Sequence, residues 1–365
     1  MMKSIESLYL HFPFCKHLCN YCDFYKKVAK DRQSELNAYH QLLIQNFDEH
    51  QKLMNSYGYS WGKLKTLYIG GGTPSLWGEA GSEFLAQFFD QRKIEIDDSC
   101  EFTLEVNPGG WSRESLESFK KIGVNRFSLG IQSLNEKMIK KLDRVHSLEE
   151  AYHTLEFFKQ SGENFSMDFM LGLPDSKESK RDVISELEEA LKYKPSHFSV
   201  YILTVKDNYT HFQSLPDEDW IEAEYLEVAR FLKDKGYLHY EVSNFALPNK
   251  ESQHNLRYWQ SNTVAALGPS ATGFLAEEKF RYKWKTLSSQ YDPEHLTDEQ
   301  FKLEKMYMNL RSSVGLSLDQ NDHPVFEAWI ERGLATKNNR QLVLTSRGYL
   351  LLDSLLDELF LLKFI

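Results

Sequence analysis

Through residues 8–203, short apolar runs alternate with amphipathic helical stretches, and this repetition constrains the fold more than any other feature. Residues 8–10, 64–69, 101–106, 124–130, 165–171 and 198–203 read as six strands, each too short and too apolar for a surface helix. A helix beginning near Ser34 gathers Leu36, Tyr39, Leu42, Leu43 and Phe47 on one face. Others are capped by Ser112 and stopped at Gly123, opened by a Ser147–Glu150 capping box and ended near Gly162, and spread over about 177–193. A helix between two strands returns the chain in its original direction, so the strands must be parallel with right-handed crossovers. The expected fold is α/β, an open or partial (β/α)6 barrel. Polar residues at the strands' C-terminal ends then share one mouth.

Beyond about residue 210 the alternation fades. A long helix is expected over 217–235, stopped at Gly236, and then an irregular stretch over 240–274 rich in Asn, Ser, Gly and aromatics. From 298 the pattern is helical again, with a turn at Asn338-Asn339, a strand over 341–344 and a final helix capped by Thr345. Helix, hairpin and helix resemble a winged-helix element. Residues 312–365 carry five Lys/Arg against seven Asp/Glu, so packing or partner binding is favoured over DNA. The chain divides into a barrel (1–210), a helix and irregular segment covering the mouth (211–297), and a mainly helical C-terminal domain (298–365).

A net charge of −10 argues against a nucleic-acid backbone binder. Of four cysteines, three lie within eight residues, which suits no disulfide framework and points to a reducing compartment. The N-terminal residues lack the apolar core of a signal peptide, and no run of about 18 apolar residues is present. A cytoplasmic protein that is not transmembrane is expected.

The mouth would hold the chemistry. Cys15, Cys19 and Cys22 form a C-x3-C-x2-C loop after the first strand. Three thiolates can hold three irons of a [4Fe-4S] cluster and leave the fourth open, whereas an electron-carrying cluster takes four cysteines. A zinc site completed by His11 or His17 is the competing reading. Gly70-Gly-Gly-Thr-Pro74 ends the second strand, where backbone can approach a ligand closely. A plain strand-to-helix turn needs fewer glycines.

With these two motifs the chain resembles the radical S-adenosylmethionine (SAM) enzymes. More narrowly, it resembles the group containing oxygen-independent coproporphyrinogen III oxidases and the haem chaperone HemW. The resemblance rests also on Thr103-Leu-Glu-Val-Asn-Pro108, Phe127-Ser-Leu-Gly-Ile-Gln-Ser133, Arg144-Val-His146, Met167-Asp-Phe-Met-Leu-Gly-Leu-Pro174 and His254-Asn-Leu-Arg-Tyr-Trp259. It implies that the open iron chelates SAM's amino and carboxylate groups and that cluster reduction cleaves SAM to a 5′-deoxyadenosyl radical. Gly71, Gly72 and Thr73 would contact the methionine end, and Tyr9 and Tyr21 would flank the cluster and cofactor. Glu105 would accept hydrogen bonds from SAM, Arg144 would fork its carboxylate, and Gln132 and Asp168 would reach ribose hydroxyls. Singly, such an acid could equally cap a helix or pair with a base, and Arg144 could be a surface cation.

Two motifs divide the group. The oxidases place a further cysteine two residues after the third, where this chain has Asp23-Phe24, and carry an extension before the motif. Cys-Asp-Phe and His-Asn-x-x-Tyr-Trp match the HemW branch. That resemblance implies haem as cargo, His254 as a candidate iron ligand, apo-haemoproteins (including membrane respiratory proteins) as acceptors, and an electron donor as partner. Alternatively, His254 and Asn255 only bond the backbone while Tyr258 and Trp259 pack the core. Gly268-Pro-Ser-Ala-Thr-Gly273 departs from the branch's Gly-Pro-Gly-Ala-His-Ser, with Thr272 in place of histidine, and Lys206 stands where an acid is common. Coproporphyrinogen oxidation and, more distantly, a zinc-stabilised interaction protein remain the alternatives.

Overall fold

The computed structural model describes residues 3–206, 209–318 and 323–361. Six parallel strands, β1 (Lys3–Phe12), β2 (Tyr59–Gly71), β3 (Ile96–Val106), β4 (Arg126–Gln132), β5 (Phe165–Leu171) and β6 (His197–Ile202), lie side by side in chain order. Side chains alternate across a strand, which gives the sheet two unlike faces. Leu8, Leu10, Leu67, Ile69, Leu104, Leu129, Met167 and Val200 are buried in one hydrophobic core with helix residues such as Leu43, Leu85, Phe119, Leu155 and Leu187. The opposite face carries polar groups that bond across strands: Tyr68 to Glu105, Ser128 to Asp168, and Ser166 to His197. That polar face is the inner wall of the partial barrel.

The helices follow their expected signals. One spans Arg32–Ser56 with Asp31 as N-cap, and another spans Leu148–Ser161, opened by the Ser147–Glu150 capping box and ended by Gly162 in the left-handed conformation. The helix expected over 177–193 covers only Val183–Leu191, capped by Asp182.

The largest departure is the stretch expected to be irregular. It holds β7 (Leu238–Glu241), β8 (Asn244–Ala246), a helix Gln253–Trp259, β9 (Ala265–Leu267) and the first strand (Thr272–Leu275) of a separate three-stranded sheet. β9 adds in parallel to the outer side of β1, and the β7–β8 hairpin adds antiparallel to β6. The result is an open nine-stranded sheet, not a closed barrel. Runs of three or four residues are too short to display a period, so they escaped the sequence pattern.

The C-terminal residues build a second core from Leu310, Phe326, Trp329, Leu342, Leu344 and Leu355. Helices Asp298–Leu310, Pro324–Glu331 and Leu352–Leu361 surround a small sheet of Leu316–Ser317, Gln341–Leu344 and Ala335–Asn338. Backbone bonds Val242 N–H to Arg311 O (2.9 Å) and Ser313 N–H to Tyr240 O (2.7 Å) join it to the β7–β8 hairpin.

Candidate active site

β1 ends at Phe12, and the chain turns into the cysteine loop, which begins at Phe14–Cys15 paired with Lys27–Val28. The loop lies directly against the glycine turn after β2. Gly72 N–H donates to Phe12 O at 2.7 Å and Thr73 N–H donates to Phe14 O at 2.8 Å. A Cβ on Gly72 would stand 2.7 Å from Phe14 O and 2.9 Å from Pro13 C, so only glycine permits this approach. Gly71 adopts φ 116°, and its N–H donates to Glu105 Oε2 at 3.0 Å. All three N–H groups of the turn are thus spent inside the protein. What Gly71 and Gly72 can still offer a ligand is carbonyl oxygen, which suits a donor such as an ammonium group.

Cys15, Cys19 and Cys22 are free, half-buried and line one pocket with Gly71, Gly72, Thr73, Asn107, Arg144 and Tyr21. Burial raises the Cys15 thiol, opposed by the Thr73 hydroxyl, and raises Cys19, opposed by the Arg144 guanidinium. Among the described residues no three His, Cys, Asp or Glu side chains converge as the ligands of one metal ion would. The proposed fourth zinc ligands are engaged elsewhere: His11 bonds Tyr9 OH (3.0 Å) and Tyr25 O (2.8 Å), and His17 bonds Asp143 (2.8 Å). Three thiols around a shared pocket, with a cation beside them and a close-packed glycine turn, fit a multi-iron cluster better than a single zinc.

Arg144 is held from three sides. Nη1 donates to Tyr21 OH at 3.3 Å, and Nη2 donates to Asn107 Oδ1 at 2.8 Å and to Gly130 O at 2.7 Å. Both Nη2 protons are therefore committed, so a two-pronged fork through Nη2 is closed and a carboxylate is left the Nε–H and the second Nη1 proton. Asn107 Nδ2 donates onward to Thr73 Oγ1 at 2.9 Å. In the sequence Asn107 entered only as a member of the Thr103–Pro108 motif, with no role of its own. Its position directly past β3, two residues after Glu105, was the available signal. His146, 5% exposed and lining the same pocket, was likewise passed over; burial and Arg144 lower its pKa to about 3.

The other expected residues lie further along the polar face and do not line the cysteine pocket. Glu105 accepts from Tyr68 OH at 2.9 Å, and burial lifts its carboxyl to about 7. Asp168 accepts from Ser128 Oγ at 3.1 Å, and burial lifts it to about 6. Tyr9 packs between His11 and Tyr68 with its hydroxyl pKa raised by burial. Gln132 sits at φ 68° beside a register shift in β4, a left-handed conformation that costs a non-glycine residue roughly 1–2 kcal/mol.

His254 is apart from the cysteines. It lies on helix Gln253–Trp259, 1% exposed, beneath the rings of Tyr68 (5.3 Å) and Tyr258 (5.4 Å). Nδ1 shares a proton with Thr66 Oγ1 at 3.0 Å, and Nε2 is buried without a hydrogen-bond partner. Burial lowers its pKa to about 3, so the ring is neutral. Thr272 lies on the separate three-stranded sheet, outside the cysteine pocket. Lys206 pairs with Asp23 at 2.5 Å, tying the chain after β6 to the cysteine loop.

Comparison with known proteins places these features in context. The radical SAM superfamily profile matches residues 9–187. The haem chaperone HemW of Escherichia coli K12 is 32% identical over 383 residues, covering 97% of this chain and 98% of that protein. HemW of Lactococcus lactis is 33% identical, covering 88% and 85%, and HemW of Buchnera aphidicola (Schizaphis graminum) is 36% identical, covering 74% and 70%. Among solved structures, E. coli coproporphyrinogen III oxidase (HemN), described as a radical SAM enzyme, superposes with a TM-score of 0.78 at 20% identity. It covers 98% of this chain and 90% of that one, a likeness of fold.

Proposed function

The chain belongs to the HemW group of the radical SAM superfamily, and we propose that it binds haem and transfers it to apo-haemoproteins. The observation that carries this reading is the joint opening of Cys15, Cys19 and Cys22 onto a pocket walled by Gly71, Gly72, Thr73 and Arg144. Family membership implies a [4Fe-4S] cluster and SAM, and these residues would hold them. When bound, the cluster supplies single electrons and a coordination position for SAM.

In this reading the protein's own groups act by orientation and charge. The carbonyls of Gly71 and Gly72 face the N–H bonds of the ligand's amino group, and Arg144 offers its remaining N–H donors to the carboxylate. Glu105, Gln132 and Asp168 take the ribose and amino groups further up the polar face. Tyr21, bonded to Arg144, closes one side of the pocket, and Tyr9 flanks the cofactor.

His254 is the candidate haem ligand because it is neutral, its Nδ1 is oriented by Thr66 and its Nε2 is unbonded, the arrangement of a histidine awaiting iron. Haem can reach it only if helix Gln253–Trp259 swings away from the sheet. An electron donor would approach at the cysteine face, where Leu18, Phe24, Val28 and Val145 are exposed and Lys16 and Lys26 donate to the carbonyls of Gly109 and Cys22. Acceptors at a membrane surface belong to the same reading. No described helix is long and apolar enough to cross a membrane, and the free thiols suit the reducing cytoplasm.

The test is anaerobic incubation of the reconstituted protein with coproporphyrinogen III, SAM and a reductant. The chaperone reading expects no decarboxylated product. Stoichiometric turnover to protoporphyrinogen IX would replace it with the oxidase reading.

A further inference from the structure

The bonds around Asn107 run in one direction, and chemistry alone fixes it. Arg144 has only donors, so the Asn107 atom 2.8 Å from its Nη2 must be the amide oxygen. The amide nitrogen therefore faces Thr73 and donates to its Oγ1 at 2.9 Å. With a lone pair of that hydroxyl occupied by a donor, its single proton is left for another acceptor. That acceptor is Cys15 Sγ, 3.7 Å away. A cysteine that coordinates iron has lost its proton, so its sulfur can only accept.

Space for this arrangement is built into β4. A Cβ on Gly130 would lie 2.2 Å from Asn107 Oδ1 and 3.2 Å from Arg144 Nη2. The chain thus keeps its strand bare where the asparagine and arginine meet.

We propose that Asn107 is a positioning residue that commits the Thr73 hydroxyl to the Cys15 sulfur, and that this donor raises the reduction potential of the cluster. A hydrogen bond to a ligating sulfur stabilises the more negative, reduced cluster and so makes it easier to reduce. The inference rests on the cluster reading given above, but it assigns Thr73 a partner other than SAM and gives Asn107 a role. Asn107 donates to no sulfur: it acts through Thr73, and its other bond, to Arg144, bears on Cys19 through the guanidinium charge.

The experiment is a potentiometric titration, followed by electron paramagnetic resonance, of the anaerobically reconstituted full chain without SAM, with iron content measured alongside. Thr73→Val should shift the midpoint to more negative potential, and Thr73→Ser should restore it. Asn107→Ala should shift it in the same direction in the wild-type background and by clearly less on top of Thr73→Val, because the part carried through the Thr73 hydroxyl is then already lost. Midpoints for Thr73→Val and Asn107→Ala equal to wild type, at full iron content, would overturn the proposal. Additive shifts would overturn the relay through Asn107. Should Thr73→Val fail to hold iron, the decision passes to Asn107→Ala: a negative shift supports the relay, and an unchanged midpoint rejects it. A wild-type chain that takes up no [4Fe-4S] cluster would instead defeat the cluster reading itself.

Discussion

Glu105 and Asp168 are carboxyls whose ionisation has been delayed by burial, to about 7 and about 6. The ionised Glu105 accepts hydrogen bonds from SAM more strongly than the protonated acid does. Affinity for SAM should be full above pH 7 and fall as pH drops, approaching about tenfold per pH unit below the carboxyl's pKa. Equilibrium dialysis between pH 5.5 and 8 measures this, and Glu105→Gln should flatten the profile. Stability runs the opposite way. The folded-state pKa exceeds the unfolded one, so the protonated form is favoured in the folded protein and this contribution is lost as pH rises through about 7. Glu105→Gln should accordingly raise the unfolding midpoint at pH 8 more than at pH 5. Motif spacing announced the cysteines and the glycines, which the fold brings to one pocket, whereas the strand-end acids it also announced lie outside that pocket. The importance of Asn107 was not announced, because it lies in its partners, Thr73 past β2 and Arg144 in a loop between two helices, both far from it in sequence.

At the scale of elements, helices and parallel strands were readable because each carries its own caps and period. Ser147 illustrates this: its side chain accepts from Glu150 N–H while Glu150 accepts from Ser147 N–H. Ser147→Ala should cost about 1 kcal/mol in denaturant unfolding. The short strands of residues 238–275 are stabilised by neighbours instead, which a linear pattern does not display. Ser270 records such a constraint. It holds φ 65° in the turn before the separate sheet, a left-handed conformation that favours glycine. Relief of the left-handed penalty, less glycine's greater unfolded-state entropy, should make Ser270→Gly more stable by about 0.5–1 kcal/mol. The glycine turn after β2 predicts the reverse. Gly72→Ala drives a methyl group into the Phe14 carbonyl, and the cysteine loop should bind less iron on reconstitution, read by iron analysis.

Across the whole molecule, the open sheet sorts its side chains into an apolar face for stability and a polar face for ligands. Loops at the strand ends must then be held without filling that polar face. A buried ionic group does this on one side: Arg181 pairs with Glu186 (2.7 Å) and Glu224 (3.6 Å) and donates to Met170 O, while Glu186 accepts from Leu134 N–H and Glu224 from Gly172 N–H. Arg181→Met would strand two buried carboxylates and should cost about 3–5 kcal/mol in chemical unfolding. Apart from Arg181 with Glu186 and Met170 with Gly172, these partners are far from one another in sequence, so the network was not legible before the fold was known.

His254 poses the functional question at this same scale, since the candidate ligand is sealed under the polar face and the cysteine pocket lies at the strand ends. The direct measurement is an anaerobic absorbance titration with haemin, comparing wild type and His254→Ala. The account predicts a saturable Soret shift at about one haem per chain that weakens and moves in the variant. An identical spectrum and affinity in both would contradict the ligand role, and no saturable shift in the wild type would contradict haem carriage altogether.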